Sequence, residues 1–308
     1  MATIRDSSKA SLALRDDADV LASALPPLMV EAERVANTVS QGVHGRRKVG
    51  IGETFWEYRH HRPQDPLTAI DWRQSAKTDH LYVRENEWEA AESVWLWRDA
   101  SPSMDYQSDL ATCNKKQRSS VLLLAVASLL VGGGERIARL GSTEPPRAGR
   151  PALRRIALRL TEENTTTESI PPALPLPRFA QMVWVSDFLT PVESLEEIIY
   201  SYAAQGVQGH LLQVLDPAEE DLPFTGRTRF EGMEGEDALT FGKAEGLRED
   251  YQKNLNEHRN ALHTITQRLG WTFTCHRTDH APQTALLALY MALAGETLTD
   301  VGHNEFVS

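Results

Sequence analysis

From residue 91 onward, short apolar runs alternate with longer stretches of helical periodicity, and this alternation constrains the fold more than any other feature. SVWLWRD reads as a strand, QRSSVLLLAVASLLV as a buried helix, ERIARLGS as a strand and RPALRRIALRL as a helix with a basic face. A Thr- and Pro-rich stretch, TEENTTTESIPPALPLPRF, leads into strand QMVWVSDF, helix VESLEEIIYSYAAQG and strand HLLQVLDP. In the acidic loop that follows, TRFEG and DALTFG read as a small hairpin across MEGE. Helix REDYQKNLNEHRNALHTITQRLG, strand TFTCHRTD and helix TALLALYMALAG complete the series. Strands this apolar need cover on both faces. The pattern therefore predicts an α/β fold with a doubly wound, mostly parallel sheet.

The first 90 residues read differently. Apolar residues recur at helical spacing between Pro26 and Gln41, with prolines at the start and Gly42 just beyond the end. TFWEYRHH, AIDWRQSA and HLYVRENEW are short, aromatic and β-branched, with turn residues between them. The expected organisation is a helix and β-rich extension over residues 1–90, packed on a main domain at 91–308. Trp56, Trp72 and Trp88 are expected to bury against that domain.

The remaining composition narrows the function classes. The net charge of −11 disfavours nucleic acid as a general partner. The charge is uneven: residues 41–84 carry eight Lys/Arg against five Asp/Glu, and residues 216–257 carry twelve Asp/Glu against five Lys/Arg. Two solvated faces of opposite sign account for this, and a polarised docking surface is the functional alternative. The longest apolar run, VLLLAVASLLV, is too short to span a bilayer, and the first 20 residues lack an apolar signal core. Cys113 and Cys275 form neither a CxxC pair nor a disulfide framework. A cytoplasmic protein without membrane insertion is expected.

Chemistry concentrates at VWLWRDASPSM. A strand ends and the chain at once presents Asp99, Ser101 and Ser103 at every second position. DxSxS alone arises by chance on the order of once in ten chains of this length, and capping or turn hydrogen bonds would explain it. A second acid, Asp187, ends strand QMVWVSD in the same way. In a doubly wound sheet, ligands bind beyond the carboxyl ends of the strands where strand order reverses. If the two strands are neighbours there, Asp99, Ser101, Ser103 and Asp187 share one crevice. All-oxygen donors suit Mg²⁺, Mn²⁺ or Ca²⁺, and Thr165, Thr166 and Thr167 lie in the interval between them.

DASPSM after an apolar strand resembles the metal-ion-dependent adhesion site of von Willebrand factor type A domains. More specifically, the chain resembles a bacterial family of such domains, named only as a domain of unknown function and encoded beside MoxR-type AAA ATPases. The resemblance runs from about residue 28 to residue 295. It rests on GVHGRRKVGIGETFWEYR, AIDWRQSAKTDHLYVRENEWE, DASPSM, WVSDF, QVLDPAEEDLPFTG, the REDYQKNLNEHRNAL helix and the terminal strand–helix pair. It implies a von Willebrand factor type A-like domain in which Asp99, Ser101 and Ser103 form the first metal loop and Asp187 supplies the later acid. A threonine from the intervening loop is implied too. Thr166 is taken as the candidate, with Thr165 and Thr167 open. The sequence departs from the family at PQDPLTAIDW, where Pro66 and Thr68 replace a turn residue and an arginine, and it lacks the usual glycine-rich lead-in to the threonine.

Other motifs carry less. GIGETF and VGGGER lack the third glycine of a dinucleotide fingerprint, LTFGKAEG lacks a phosphate loop's spacing, and no GxSxG is present. Cys275, His276 and His280 are read as strand-end polar groups rather than a zinc site. The expected function is binding: a metal-dependent interaction module, an adaptor for a MoxR-type AAA ATPase or its client in a chaperone-like assembly or maturation role. The expected cofactor is Mg²⁺, or Mn²⁺ or Ca²⁺, bound alone or only with the partner. The alternative is a metal-dependent hydrolase in the same crevice, against which stands the lack of a general base beside the DxSxS loop.

Overall fold

The structure is a computed structural model that describes residues 29–40, 55–60, 75, 77, 81–86, 93–162, 168–233, 235 and 238–295. Two compact units divide at residues 42/43 and 92/93.

In the smaller unit, β1 (Phe55–His60) and β2 (Tyr82–Asn86) pair antiparallel, with an irregularity between Phe55 and Glu57. The strands expected in TFWEYRHH and HLYVRENEW therefore form. Trp72, Trp88 and the side chain of Trp56 lie outside the described residues.

The larger unit contains helix α1 (residues 29–40) and the α/β body. Helix α1 buries Ala32, Val35, Ala36 and Val39 and exposes Val30, the one-sided pattern that its spacing dictates. The body runs β3 (Ser93–Arg98), α2 (Lys115–Gly132), β4 (Arg136–Arg139), α3 (Arg150–Glu162), β5 (Gln181–Ser186), α4 (Val192–Ala204) and β6 (Gln208–Leu215). It continues through α5 (Pro217–Asp221), the hairpin β7 (Thr228–Phe230) and β8 (Leu239–Phe241), α6 (Arg248–Arg268), β9 (Thr272–Arg277) and α7 (Pro282–Leu293). The hairpin falls at TRFEG and DALTFG, as their pattern predicts.

The sheet order is β4-β3-β5-β6-β9, and every neighbouring pair is parallel. The chain steps from β3 outward to β4, then returns to place β5 on the other side of β3. In doubly wound sheets such a reversal, here at the carboxyl ends of β3 and β5, is where ligands bind. Every residue of β5 is buried, as a central strand covered on both faces requires. Helix α2 packs against α3 and α7, while α4 packs against α6. All of Val121–Ala127 in α2 is buried, so the centre of this helix has no exposed face and reads as a continuous apolar run. Trp97 and Trp184 meet edge to face in the core with Phe188, Leu195, Ile199, Tyr202 and Leu262.

Gly209 on β6 shows how tight that core is. A side chain there would begin 2.0 Å from the ring of Trp271, whose indole N–H donates to the Val207 carbonyl at 3.0 Å. The indole fills the space that the glycine leaves.

Candidate functional site

Strand β3 ends at Arg98, but the sheet's hydrogen bonding runs one residue further, since the Asp99 amide donates to the Val185 carbonyl at 2.8 Å. The chain then turns through a short 3-10 helix at Pro102–Asp105, with Pro102 supplying a preset φ. The turn is closed locally: the Ser101 amide donates to Asp99 Oδ1 at 2.8 Å, and the Met104 amide to the Ser101 carbonyl. Thus the alternation Asp99, Ser101, Ser103 becomes three oxygen-bearing side chains on one small loop.

Strand β5 delivers the second acid. Ser186 Oγ donates to Asp99 Oδ2 at 2.7 Å and accepts the Phe188 amide at 3.1 Å. Phe188 is buried at φ 51°, in the left-handed region that few non-glycine residues adopt. This fixes the bend that turns Asp187 toward the serines. Ser103 Oγ donates to Asp187 Oδ2 at 2.8 Å, and the Ser101 and Ser103 hydroxyl oxygens are 3.1 Å apart. Four of the five candidate residues, Asp99, Ser101, Ser103 and Asp187, therefore share one crevice. Thr166, like Thr165 and Thr167, lies outside the described residues.

Other groups complete the cluster. Lys115, the first residue of α2, is fully buried and places its Nζ 2.9 Å from Asp187 Oδ2 and 2.5 Å from Glu219 Oε1. Glu219 Oε2 accepts the Asp216 amide at 2.9 Å, and the Asp216 carboxylate caps α5 and accepts the Ser108 amide at 2.9 Å. Gln213 on β6 donates to the Asp187 carbonyl and accepts from Arg259 Nε, which lies on α6. The crevice is thus braced from β6, α2, α5 and α6.

Electrostatics follow from burial. Burial pushes the Asp99 carboxyl up to about 6, against hydrogen bonds from Ser101 and Ser186 that favour its ionised form, and nearby Asp187 adds to the rise. Burial opposes the Lys115 ammonium, but Asp187 and Glu219 outweigh it and raise its pKa. Glu219 is raised by its own burial, with Lys115 acting in the opposite direction.

The donor set fits a small hard cation. Adjacent ligands of an octahedral ion with bonds near 2.1 Å are about 3 Å apart. The steps from Ser101 Oγ to Ser103 Oγ (3.1 Å) and from Ser103 Oγ to Asp187 Oδ2 (2.8 Å) match that spacing. No group of three His, Cys, Asp or Glu side chains suited to a metal forms among the described residues, so an ion here would rest on hydroxyls together with two acids.

Sequence reasoning passed over Lys115, Ser186, Asp216 and Glu219. A signal for Asp216 was present: HLLQVLD ends a strand in Asp just as SVWLWRD and QMVWVSD do, and Asp99, Asp187 and Asp216 are all buried. Nothing in the sequence marked Lys115, because only folding carries the start of α2 to the end of β5.

The family model described as protein of unknown function DUF58 matches residues 57–261. Uncharacterized proteins of Mycobacterium tuberculosis and Mycobacterium bovis are each 28% identical over 283 residues, covering 86% of this chain and 88% of theirs. Among solved structures, an aerotolerance-related membrane protein from Bacteroides fragilis aligns at 14% identity and a TM-score of 0.37, over 66% of this chain and 99% of that one. The conserved hypothetical protein BatB from Bacteroides thetaiotaomicron aligns at 14% identity and a TM-score of 0.35, over 66% of this chain and 98% of that one. Among the described residues of this chain, no helix is long and apolar enough to cross a membrane.

Proposed function

Since the chain belongs to the DUF58 family, we propose that its α/β body is a von Willebrand factor type A-like interaction module using a Mg²⁺-like ion at the β3–β5 crevice. The observation that carries this reading is the convergence of Asp99, Ser101, Ser103 and Asp187 at the point where strand order reverses. Ser101, Ser103 and Asp187 would hold the ion directly, and the Asp99 carboxylate beside them would supply the second negative charge. The ion would supply an open coordination position for a carboxylate of a partner protein. The chain's own residues prepare the place: Ser186 and the Ser101 amide orient Asp99, while Gln213 and Arg259 fix the backbone at Asp187.

Exposed Leu110 and Leu189 lie in the loops that leave this end of the sheet and offer apolar contact beside a charged centre. The sequence resemblance points to a MoxR-type AAA ATPase, or its client, as the carboxylate-bearing partner, with the chain as a cytoplasmic adaptor in assembly or maturation. The hydrolase reading draws less support. Ser103 gives its proton to a carboxylate already held by an ammonium, and among the described residues no imidazole bonds either serine. Titration of the purified protein with Mg²⁺, Mn²⁺ and Ca²⁺ by calorimetry tests the reading. Saturable one-site binding that Asp99→Asn removes is expected, and heat no greater than dilution for all three ions would overturn it.

A further inference from the structure

Lys115 occupies an unusual place for a cation. It is wholly buried, and its ammonium contacts the same oxygen, Asp187 Oδ2, that accepts the Ser103 hydroxyl. That oxygen is one of the atoms through which a divalent ion would be held. An ammonium donating to it and a metal accepting its lone pair make competing demands.

The backbone of Lys115 has little room to withdraw. Its amide donates to the Tyr106 carbonyl at 3.4 Å, Asn114 caps the helix through the Gln117 amide, and Arg118–Ala127 of α2 is buried in the core. Only the side chain can give way, and the structure supplies its alternative. Glu219 Oε1 already lies 2.5 Å from Nζ, and its other oxygen is anchored to the Asp216 amide.

Building on the ion-site reading above, we propose that Lys115 is the resident counter-ion of the crevice and competes with the divalent ion for Asp187. Binding of the ion then requires Lys115 to be handed over to Glu219. In this arrangement Lys115 keeps Asp187 compensated when no ion is bound, and it holds ion affinity down. Affinity is then set by a swing of one side chain rather than by the donors alone. The hand-over also links the crevice to a neighbouring loop, because Glu219 positions Asp216 and Asp216 holds Ser108.

The test compares Mn²⁺ affinity, read from the electron paramagnetic resonance of free Mn²⁺, at pH 7.5 in moderate salt. The full chain is used as wild type, Lys115→Gln, Lys115→Gln with Glu219→Gln, and Asp99→Asn. The double variant removes one charge of each sign, so the net charge of the crevice is unchanged while the ammonium's hold on Asp187 is lost. Both Lys115 variants are expected to bind Mn²⁺ about tenfold or more tighter than wild type. Equal affinity in wild type and the double variant would overturn the competition while leaving the ion site standing. Failure of every form to bind Mn²⁺ would remove the ion site and the competition with it. Binding by the Lys115 variants alone would support competition in its strongest form. Should the Lys115 variants not fold, Mg²⁺ added to wild type should still shift the Lys115 Nζ resonance, and an unmoved resonance at saturating Mg²⁺ would refute the hand-over.

Discussion

Ser103 donates its hydroxyl to Asp187 at 2.8 Å across 84 residues of sequence, joining the loop after β3 to the end of β5. This bond closes the crevice, and it is made by two side chains whose proposed task is to share an ion. Replacing either therefore tests both the packing of the loop and the binding chemistry.

Asp99→Asn is expected to abolish divalent-ion binding with the fold retained. The carboxyl is fully buried, with both oxygens engaged, so the isosteric amide keeps the Ser101 contact and sets its NH₂ against the Ser186 hydroxyl. The exchange should cost about 1–3 kcal/mol at most, since one buried bond must be rearranged. Calorimetry with Mn²⁺ and circular dichroism read the two effects separately, and wild-type affinity in this variant would contradict the site.

Capture of a MoxR-type ATPase by the immobilised protein should depend on divalent ion. Chelator, or Ser101→Ala combined with Ser103→Ala, is expected to cut recovery strongly. Raising salt should act less, because a coordinated carboxylate is partly shielded from screening. Undiminished recovery in chelator would place the docking surface elsewhere.

Buried titrating groups pull stability in opposite directions with pH. His210 and His276 are held down to about 4, His210 by burial and His276 by burial with nearby positive charge. The unfolded chain takes up these protons near 6.5, so folding stability should fall as pH drops from 6.5 to 4, by roughly 3 kcal/mol for each histidine. Asp99 acts the other way: its carboxyl ionises first in the unfolded chain, so stability should fall as pH rises from about 4 to 6. Urea midpoints across this range should show a steeper acid loss in Asp99→Asn than in wild type, and a shallower one in His210→Gln.

Gly209→Ala is expected to destabilise the body by about 2 kcal/mol or more, because its methyl group would meet the Trp271 ring 2.0 Å away. Combining it with Trp271→Leu should recover part of the loss, since the smaller side chain vacates that space. Thermal melts of the two variants decide this, and an unaffected Gly209→Ala melt would show that the indole can move aside freely.

Much of this molecule was legible in one dimension because its periodicities are strong. The largely buried strand VWLWR, the buried strand MVWV, the all-apolar centre of α2 and the hairpin at TRFEG and DALTFG follow from local pattern, and local pattern fixes backbone conformation. DASPSM likewise shapes its own turn through bonds between Asp99, Ser101 and Met104. Strand order was different in kind. The neighbouring of β3 and β5, which alone brings Asp187 to Ser103, depends on how the helices cover the sheet. Lys115 and Glu219 were illegible for the same reason: 104 residues separate them, and only packing of α2 and α5 around the sheet closes their ion pair. Local pattern and residue type were enough for the elements and the chemistry of the donors. Which charges meet was settled only in three dimensions, because electrostatic contact depends on distance in space and not on separation along the chain.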